Sequence, residues 1–357
     1  MNTFMNVHPN FRLNGKLFTS IDVLLEFSKD ISSEVHLFLI DWFNDQDFIT
    51  VKTSGSTGVA KSIQLKKEFM VNSAKATGTF FHLYQDTTAL LCMSVGFIAG
   101  KMMLVRAMVL GWHLDVLKPS ANPLCQITKT YDFSAMVPLQ LKASLKELHK
   151  IKKIIVGGAA VNNDLKNKLE HLSTEIFSTY GMTETITHVA VKKLNKIAAE
   201  KKDSSYYKTL PNVSVDIDER GCLVINAPKI STEKIITNDI VKLYSNTTFA
   251  WLGRYDTIIN SGGIKLNPET IEEKLAEIIK NRFFVTGIPD KVLGEKLILI
   301  IEGSFEKKEL FTLKEKISKL HFLEKYEKPK EILNALKFVE TATKKIHRKK
   351  TLNLVLG

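Results

Sequence analysis

Between Thr88 and Thr179, short apolar runs alternate with stretches of helical spacing, and this alternation limits the possible folds more than any other feature of the chain. Thr88 to Ser94 is a continuous apolar run of the kind a buried strand uses, and Gly100 to Leu110 has the spacing of a helix. His113 to Leu117 reads as the next strand. Ser134 to Val137 reads as another, followed by Pro138 and a helix over Leu139 to His149. Lys153 to Ala159 is a strand ending in a glycine turn, the helix Asp164 to Leu172 follows, and Glu175 to Thr179 opens a further strand. Parallel neighbours need crossover connections, usually helical, so strands separated by helices predict an α/β architecture with a mostly parallel sheet.

The texture differs on either side. Residues 1–47 read as an N-terminal cap, with helical spacing in Ile21 to Phe27 and Val35 to Phe43. From about Tyr206, Val213 to Ile217 and Cys222 to Ile225 flank the turn Asp218-Glu219-Arg220-Gly221, a hairpin signal that predicts a small β-rich subdomain. After Arg254 the pattern is that of a compact α+β unit, with helices over Pro268 to Ile279 and Leu313 to Lys319 and strands over Arg282 to Val285 and Lys296 to Ile301. At 357 residues, 44% of them hydrophobic, the chain can build a large core divided into two or three packed units.

Composition narrows the function classes. The net charge of +12 favours anionic partners such as nucleotides, coenzyme A, nucleic acid or a membrane surface. No basic stretch is interleaved with aromatics, so nucleic-acid binding is not expected. Cys92, Cys125 and Cys222 are odd in number and far apart, which fits neither a disulfide framework nor a zinc site and points to a reducing cytoplasm. The first residues lack a basic segment followed by an apolar one, so no signal peptide is expected. The most apolar stretch, Ala89 to Leu110, is interrupted by Lys101 and Arg106 and reads as core, so stable membrane insertion is not expected. Nothing in the sequence fixes an oligomeric state.

Chemistry concentrates in a few places. Thr53-Ser54-Gly55-Ser56-Thr57-Gly58-Val59-Ala60-Lys61 combines hydroxyls, glycines and a closing lysine, the composition of a phosphate cradle. It nearly fits the G-x-x-x-x-G-K-[ST] pattern, but that loop opens into a helix, whereas Ser62 to Leu65 alternates like a strand. The stretch therefore reads as a loop between two strands, Phe48 to Val51 and Ser62 to Leu65. Ser178 to Thr185 stands at the carboxyl end of a strand, where open α/β sheets bind ligands, and Glu184 offers the hard oxygen that Mg²⁺ prefers. Gly253-Arg254-Tyr255-Asp256 leads into a short strand, the pair Gly262-Gly263 and a helix started by Pro268. Thr341 to Lys350 ends the series with a run of charge. Taken singly, these are equally a surface turn, a capped helix N-terminus, a hairpin and a solvated tail.

In this order they resemble the adenylate-forming superfamily of acyl-CoA synthetases, aryl-CoA ligases and peptide-synthetase adenylation domains. Thr53 to Lys61 is similar to that family's T-S-G-[ST]-T-G-x-x-K, and Tyr180 to Thr185 to its Y-G-x-T-E. Thr237-Asn238-Asp239 is similar to its T-G-D, and Gly253 to Asp256 with Ser261-Gly262-Gly263 to its hinge and the loop beyond. Thr343 to Arg348 is similar to T-G-K-I-x-R, with Lys344 in place of the glycine.

The resemblance implies a large AMP-binding domain over residues 1–255 with a reduced N-terminal subdomain, a hinge at Asp256, and a small mobile domain over 257–357. It implies that a carboxylate attacks the α-phosphate of ATP to give an acyl-adenylate, and that a thiol, usually of coenzyme A, then attacks the adenylate. Thr53, Ser54, Gly55, Ser56, Thr57, Gly58 and Lys61 would hold phosphates, and Glu184 with Thr183 would serve Mg²⁺ and the phosphates. Gly157, Gly158, Ala159, Tyr180, Gly181 and Met182 would line the adenine site, with Asp239 and Arg254 at the ribose. Lys345 would act in adenylation, and Ser261, Gly262 and Gly263 would line the pantetheine channel.

Gly96 to Arg106 is similar to the corresponding stretch of compact o-succinylbenzoate–CoA ligases of menaquinone biosynthesis, with Phe97 at the acyl pocket and Lys101 as the candidate cation for a second substrate carboxylate. His188 reads as structural. The alternatives are an adenylation enzyme that loads a carrier-protein thiol, and a non-catalytic nucleotide-binding relic. Retention of Lys61, Glu184, Asp239, Arg254 and Lys345 argues against the relic.

Overall fold

Serine, asparagine and proline caps set the beginnings of several helices, and pairing of alternating strands does the rest. The computed structural model describes residues 7–52, 62–195, 206–341 and 346–357. A short antiparallel pair, β1 (Arg12–Leu13) and β2 (Lys16–Leu17), precedes α1 (Ile21–Ser28) and α2 (Ser33–Phe43). Ser20 and Ser32 cap these helices by accepting from Val23 N–H and Val35 N–H. β3 (Phe48–Lys52) and β4 (Ser62–Lys66) pair antiparallel from Phe48↔Lys66 to Lys52↔Ser62, so the Thr53–Lys61 stretch does join two strands of one hairpin. Then come α3 (Lys67–Phe81), β5 (Thr88–Leu91), α4 (Ile98–Leu110), β6 (His113–Val116), β7 (Tyr131–Met136), α5 (Pro138–Ala143), β8 (Ile151–Val156), α6 (Asn163–Leu169) and β9 (Glu175–Gly181).

β1, β6, β5, β7, β8 and β9 pair in parallel, in that order, which is the expected α/β core. Both faces of this run are covered, so β5 is apolar from Ala89 to Leu91: Ala89 and Leu91 face the core that holds Phe38, Trp42, Met70 and Met103, and Leu90 faces the core that holds Leu141, Leu165 and Leu169. The helix expected over Leu139 to His149 is shorter. α5 ends at Ala143, where the buried Ser144 hydroxyl donates to Asn122 Oδ1 at 3.1 Å, and only a 3₁₀ turn, Leu148–Lys150, follows.

β10 (His188–Lys193), β11 (Tyr207–Thr209), β12 (Ser214–Ile217), β13 (Cys222–Asn226), β14 (Ile235–Ser245) and β15 (Thr248–Arg254) are antiparallel. They extend the same sheet in the order β12-β13-β14-β15-β11-β10-β9. The β-rich stretch is therefore the far end of one mixed sheet, since β10 pairs directly with β9.

A second sheet comprises β16 (Ile259–Ser261), β17 (Ile264–Leu266), β18 (Phe283–Asp290), β19 (Gly294–Glu302) and β20 (Glu331–Ala335), with α7 (Pro268–Leu275), α8 (Lys307–Ser318) and α9 (Arg348–Leu356). Alternate residues of β19 divide between two cores: Leu297, Leu299 and Ile301 pack with Ile271, Leu275 and Ile317, while Ile298 and Ile300 pack with Phe284 and Phe338. Among the described residues, no helix is long and apolar enough to cross a membrane.

Candidate active site

The carboxyl ends of β8 and β9 carry the first group of residues. Gly157 N–H donates to Met136 O at 3.2 Å, and Thr179 Oγ1 donates to Val156 O at 3.1 Å, so the turn Gly157-Gly158-Ala159 leaves the sheet beside the Tyr180 strand. Gly181 is required by its neighbour: a Cβ there would lie 2.2 Å from Thr187 O and 2.6 Å from His188 Cα, where the chain enters the paired strand β10. Met182 N–H donates to Thr185 Oγ1 at 2.9 Å, which folds Thr183–Thr185 into a 3₁₀ turn. Glu184 is exposed on that turn and Thr183 is half-buried. Ile186, immediately after it, has φ 64° and ψ −60°, and Thr187 N–H bonds Thr185 O at 2.7 Å. A β-branched residue in that γ-turn geometry stores strain directly behind the Thr183-Glu184 pair.

Asp239, on β14, is brought to the same end. Tyr180 Oη donates to its Oδ2 at 2.6 Å, and Trp251 Nε1 donates to its Oδ1 at 3.1 Å. Burial, followed by the Asp239 charge, raises the Tyr180 phenol above its ordinary pKa, so Tyr180 stays a donor. Arg254 lies opposite Asp239 in the β14–β15 ladder and forms a two-pronged ion pair with Asp256, Nε to Oδ1 at 2.8 Å and Nη2 to Oδ2 at 2.9 Å. Hydrogen bonding to Arg254 lowers the Asp256 carboxyl, although desolvation opposes it. Asp256 sits in the 3₁₀ turn Tyr255–Thr257 that joins the two sheets.

Gly262 (φ 61°) and Gly263 (φ 80°) form the two-residue turn between β16 and β17, a primed hairpin turn that needs positive φ at both positions. Ser261 before them is buried, and Gly262 N–H bonds Leu293 O at 2.8 Å. Phe97 caps α4 and is 55% exposed, so it is available to a ligand and does not belong to the core. Lys101 faces α2: its Nζ lies 4.9 Å from the Phe38 ring centre, burial lowers its pKa, and Asp41 and Glu34 oppose that shift. Thr53, Ser54, Gly55, Ser56, Thr57, Gly58 and Lys61 lie outside the described residues, as do Lys344 and Lys345.

Sequence reasoning assigns no role to Arg106. Its side chain is only 1% exposed, and its pKa falls to about 9 through burial alone. Nε donates to Thr77 Oγ1 at 3.3 Å, and Nη2 lies 3.4 Å from both Thr187 Oγ1 and His188 Nδ1. Among the described residues no carboxylate pairs with it. The signal was a charge inside the apolar run Ala89 to Leu110, which means burial with a partner or a purpose. His188, read from the sequence as structural, is buried, and burial first and Arg106 second hold its pKa below the ordinary value.

A mixed α/β sheet whose strand ends gather a hydroxyl–carboxylate turn, a buried aspartate and a glycine turn defines a ligand-binding α/β protein. The comparisons make the class specific. The model of the AMP-binding enzyme family matches residues 45–228, more than half of the chain, and the chain belongs to that family. A solved acyl-CoA synthetase (AMP-forming)/AMP-acid ligase II-like protein from Dyadobacter fermentans is 37% identical, over 90% of this chain and 93% of that one, with a TM-score of 0.60. The 2-succinylbenzoate–CoA ligase of Lactococcus lactis is 25% identical over 87% of this chain and 71% of its own length. The o-succinylbenzoate coenzyme A synthetase of Bacillus subtilis, solved with ATP and magnesium ion, shares the fold at a TM-score of 0.72, with 16% identity over 95% of this chain and 83% of that one.

Proposed function

We propose that this chain is a cytoplasmic, ATP-dependent, AMP-forming acid–CoA ligase, and that its acid is o-succinylbenzoate, activated for menaquinone biosynthesis. The observation that carries the substrate is Arg106. A buried cation with no carboxylate beside it, among the described residues, is costly unless an anion arrives. It touches Thr187 and His188, just beyond the Thr183–Thr185 turn where the acyl-phosphate chemistry would occur. An acid with a second carboxylate supplies that anion, and the names of the Lactococcus and Bacillus relatives agree with it. Lys101 is the alternative cation, but Asp41 and Glu34 already contribute negative charge there.

Residues 1–255 would form the large domain and 257–357 the small one, turning about Asp256. Thr53 to Lys61 would clasp the β- and γ-phosphates, and Lys345 would neutralise the α-phosphate and acyl oxygens during adenylation. Asp239, with both oxygens oriented by Tyr180 and Trp251, would accept from the ribose hydroxyls, with Arg254 beside it. Gly157, Gly158, Ala159, Gly181 and Met182 would line the adenine. Glu184 is an exposed single carboxylate, which fits Mg²⁺, an ion that takes one or two carboxylates and fills its sphere with phosphates and water. Magnesium bound there would neutralise phosphate charge. Coenzyme A would enter along Ser261-Gly262-Gly263, where the turn has no side chain to block the pantetheine.

The test is pyrophosphate release with ATP and Mg²⁺ against o-succinylbenzoate, benzoates and fatty acids, with and without CoA. Release with o-succinylbenzoate and formation of its CoA thioester is the expected result. Release with another acid alone discards the substrate, adenylate without thioester discards CoA as acceptor, and no release with any acid discards the ligase reading.

A further inference from the structure

β14 bulges where it carries Asp239. Between the pairs Val224↔Ile236 and Cys222↔Ile240, β13 has Leu223 alone, whereas β14 has Thr237, Asn238 and Asp239. Extra residues in one strand of a ladder lose their regular partners and turn a side chain in a new direction. Here that side chain is Asp239, and the lost partners are replaced from two sides. On one side Thr237 Oγ1 donates to Leu223 O at 2.8 Å and accepts from Asp239 N–H at 3.0 Å. On the other stands Arg220, to which sequence reasoning assigns only a place in the turn between β12 and β13.

Arg220 is aimed at the bulge by its own turn. Its Nε donates to Asp218 Oδ2 at 2.8 Å, and Oδ1 of the same carboxylate accepts from Arg220 N–H and Cys222 N–H, both at 2.9 Å. The far end of the guanidinium reaches β14. There Nη1 donates to Asn238 Oδ1 at 2.9 Å, and Nη2 donates to Thr237 O at 3.0 Å. The guanidinium carbon lies 5.3 Å from the centre of the Tyr255 ring, which packs over the fork. The Asn238 acceptor is a departure: the T-G-D stretch that this segment resembles has glycine there, with no side-chain oxygen to offer. A rigid fork of N–H groups meets Asp218, Asn238 and Thr237 together, whereas a lysine offers one ammonium point charge.

We propose that Arg220 is a positioning residue for Asp239: it holds the bulge in the conformation that presents this carboxylate to the ribose hydroxyls of the nucleotide. This rests on the reading of Asp239 as the ribose acceptor. Tyr180 and Trp251 set the rotation of the carboxylate through its two oxygens. Arg220 sets where the Asp239 backbone stands, because it grips the two residues immediately before it.

The experiment measures equilibrium binding of ATP and of 2′,3′-dideoxy-ATP, both with Mg²⁺, by calorimetry. It compares the wild-type chain with Arg220→Ala, Arg220→Lys, Asn238→Gly and Asp239→Ala, each with a thermal melt alongside. The ratio of the two affinities reports the ribose hydroxyls, since the rest of the nucleotide is the same. Hydrogen bonds to a carboxylate should make the wild type prefer ATP about tenfold or more. Arg220→Ala should cut that preference about threefold or more, toward the value of Asp239→Ala, because misaimed hydrogen bonds are lost. Arg220→Lys should restore part of it. Asn238→Gly removes one acceptor, leaves the Asp218 turn intact and should lose a smaller part. If Arg220→Ala weakens both nucleotides equally, or neither, while Asp239→Ala loses the preference, the positioning role is overturned and Asp239 stays at the ribose. A preference that is absent from the wild type, or that Asp239→Ala keeps, overturns both. If Arg220→Ala does not fold, an unchanged preference in Arg220→Lys and Asn238→Gly overturns the positioning role in its place.

Discussion

Tyr180 donates a 2.6 Å hydrogen bond to Oδ2 of Asp239, joining the end of β9 to the start of the β14–β15 ladder across the antiparallel half of the sheet. Trp251 fixes the other oxygen at 3.1 Å. The carboxylate therefore cannot rotate, and each oxygen keeps a lone pair for a further donor.

Tyr180→Phe should loosen that carboxylate. The expected outcome is a KM for ATP raised about tenfold with a smaller change in kcat, because an oriented acceptor contributes mainly to nucleotide binding. Folding stability should fall by about 1–3 kcal/mol, since the buried Oδ2 loses its donor. Steady-state kinetics and a thermal melt measure the two effects. An unchanged KM would remove Asp239 from the ribose site.

Gly181→Ala should be costlier. Its new methyl would meet Thr187 O at 2.2 Å and His188 Cα at 2.6 Å, both backbone atoms where the chain enters the paired strand. Neither atom can rotate away, so strands β9 and β10 must part. Overpacking of this kind costs about 1–3 kcal/mol, and it shifts the Thr183-Glu184 turn that follows. A lowered melting temperature together with lost adenylation is expected, and a wild-type melt would contradict the close approach.

The sequence was legible where the signal is local. A strand period or a helical stripe lies within ten residues, so β5, α4, β6, β8 and β9 came out of the apolar pattern. The hairpin of β12 and β13 was equally local, but its place was not: β11 pairs with β15 and β10 across long loops, and nothing in the residues 213–226 announces that they extend the same sheet. α5 ends at Ala143, where Ser144 bonds Asn122, a partner outside the helical pattern. The site divides the same way. Glycines and hydroxyls at strand ends were visible as motifs, whereas the partners of Asp239 and Arg106 come from distant segments. Read singly, the charged run from Thr341 to Lys350 had the look of a solvated tail, yet Arg348 within it is tied to Glu272.

His188 makes the fold sensitive to acid. Burial and then Arg106 depress its pKa well below the ordinary 6.5, and Arg106 Nη2 faces Nδ1, which leaves the proton on Nε2. In the unfolded chain the imidazole titrates normally, so below about pH 6.5 the unfolded state binds a proton that the folded state does not. Stability is fully present above that pH and declines as the pH falls toward the depressed folded value, by up to about 1.4 kcal/mol per unit. His188→Gln, which cannot protonate, should flatten this part of the curve. Melts of both proteins from pH 7.5 to pH 5 make the comparison, and parallel curves would mean that His188 protonates without penalty.

Arg106→Met separates substrate recognition from folding, because the two should move in opposite directions. The guanidinium is buried with hydroxyls and a neutral imidazole around it and no carboxylate among the described residues, so it is a burden on the empty fold. Replacing an unpaired buried charge by an apolar side chain of similar length should leave stability unchanged or raise it. If the second carboxylate of the substrate pairs with Arg106, the KM for o-succinylbenzoate should rise about tenfold or more, since a charge-assisted pair is lost. An acid without that second carboxylate has nothing to lose and should be used as before, or better. Kinetics with o-succinylbenzoate and with benzoate, alongside a melt, measure all three. A destabilised protein with an unaltered ratio of the two KM values would make Arg106 a packing residue and return the search for the substrate's cation to Lys101.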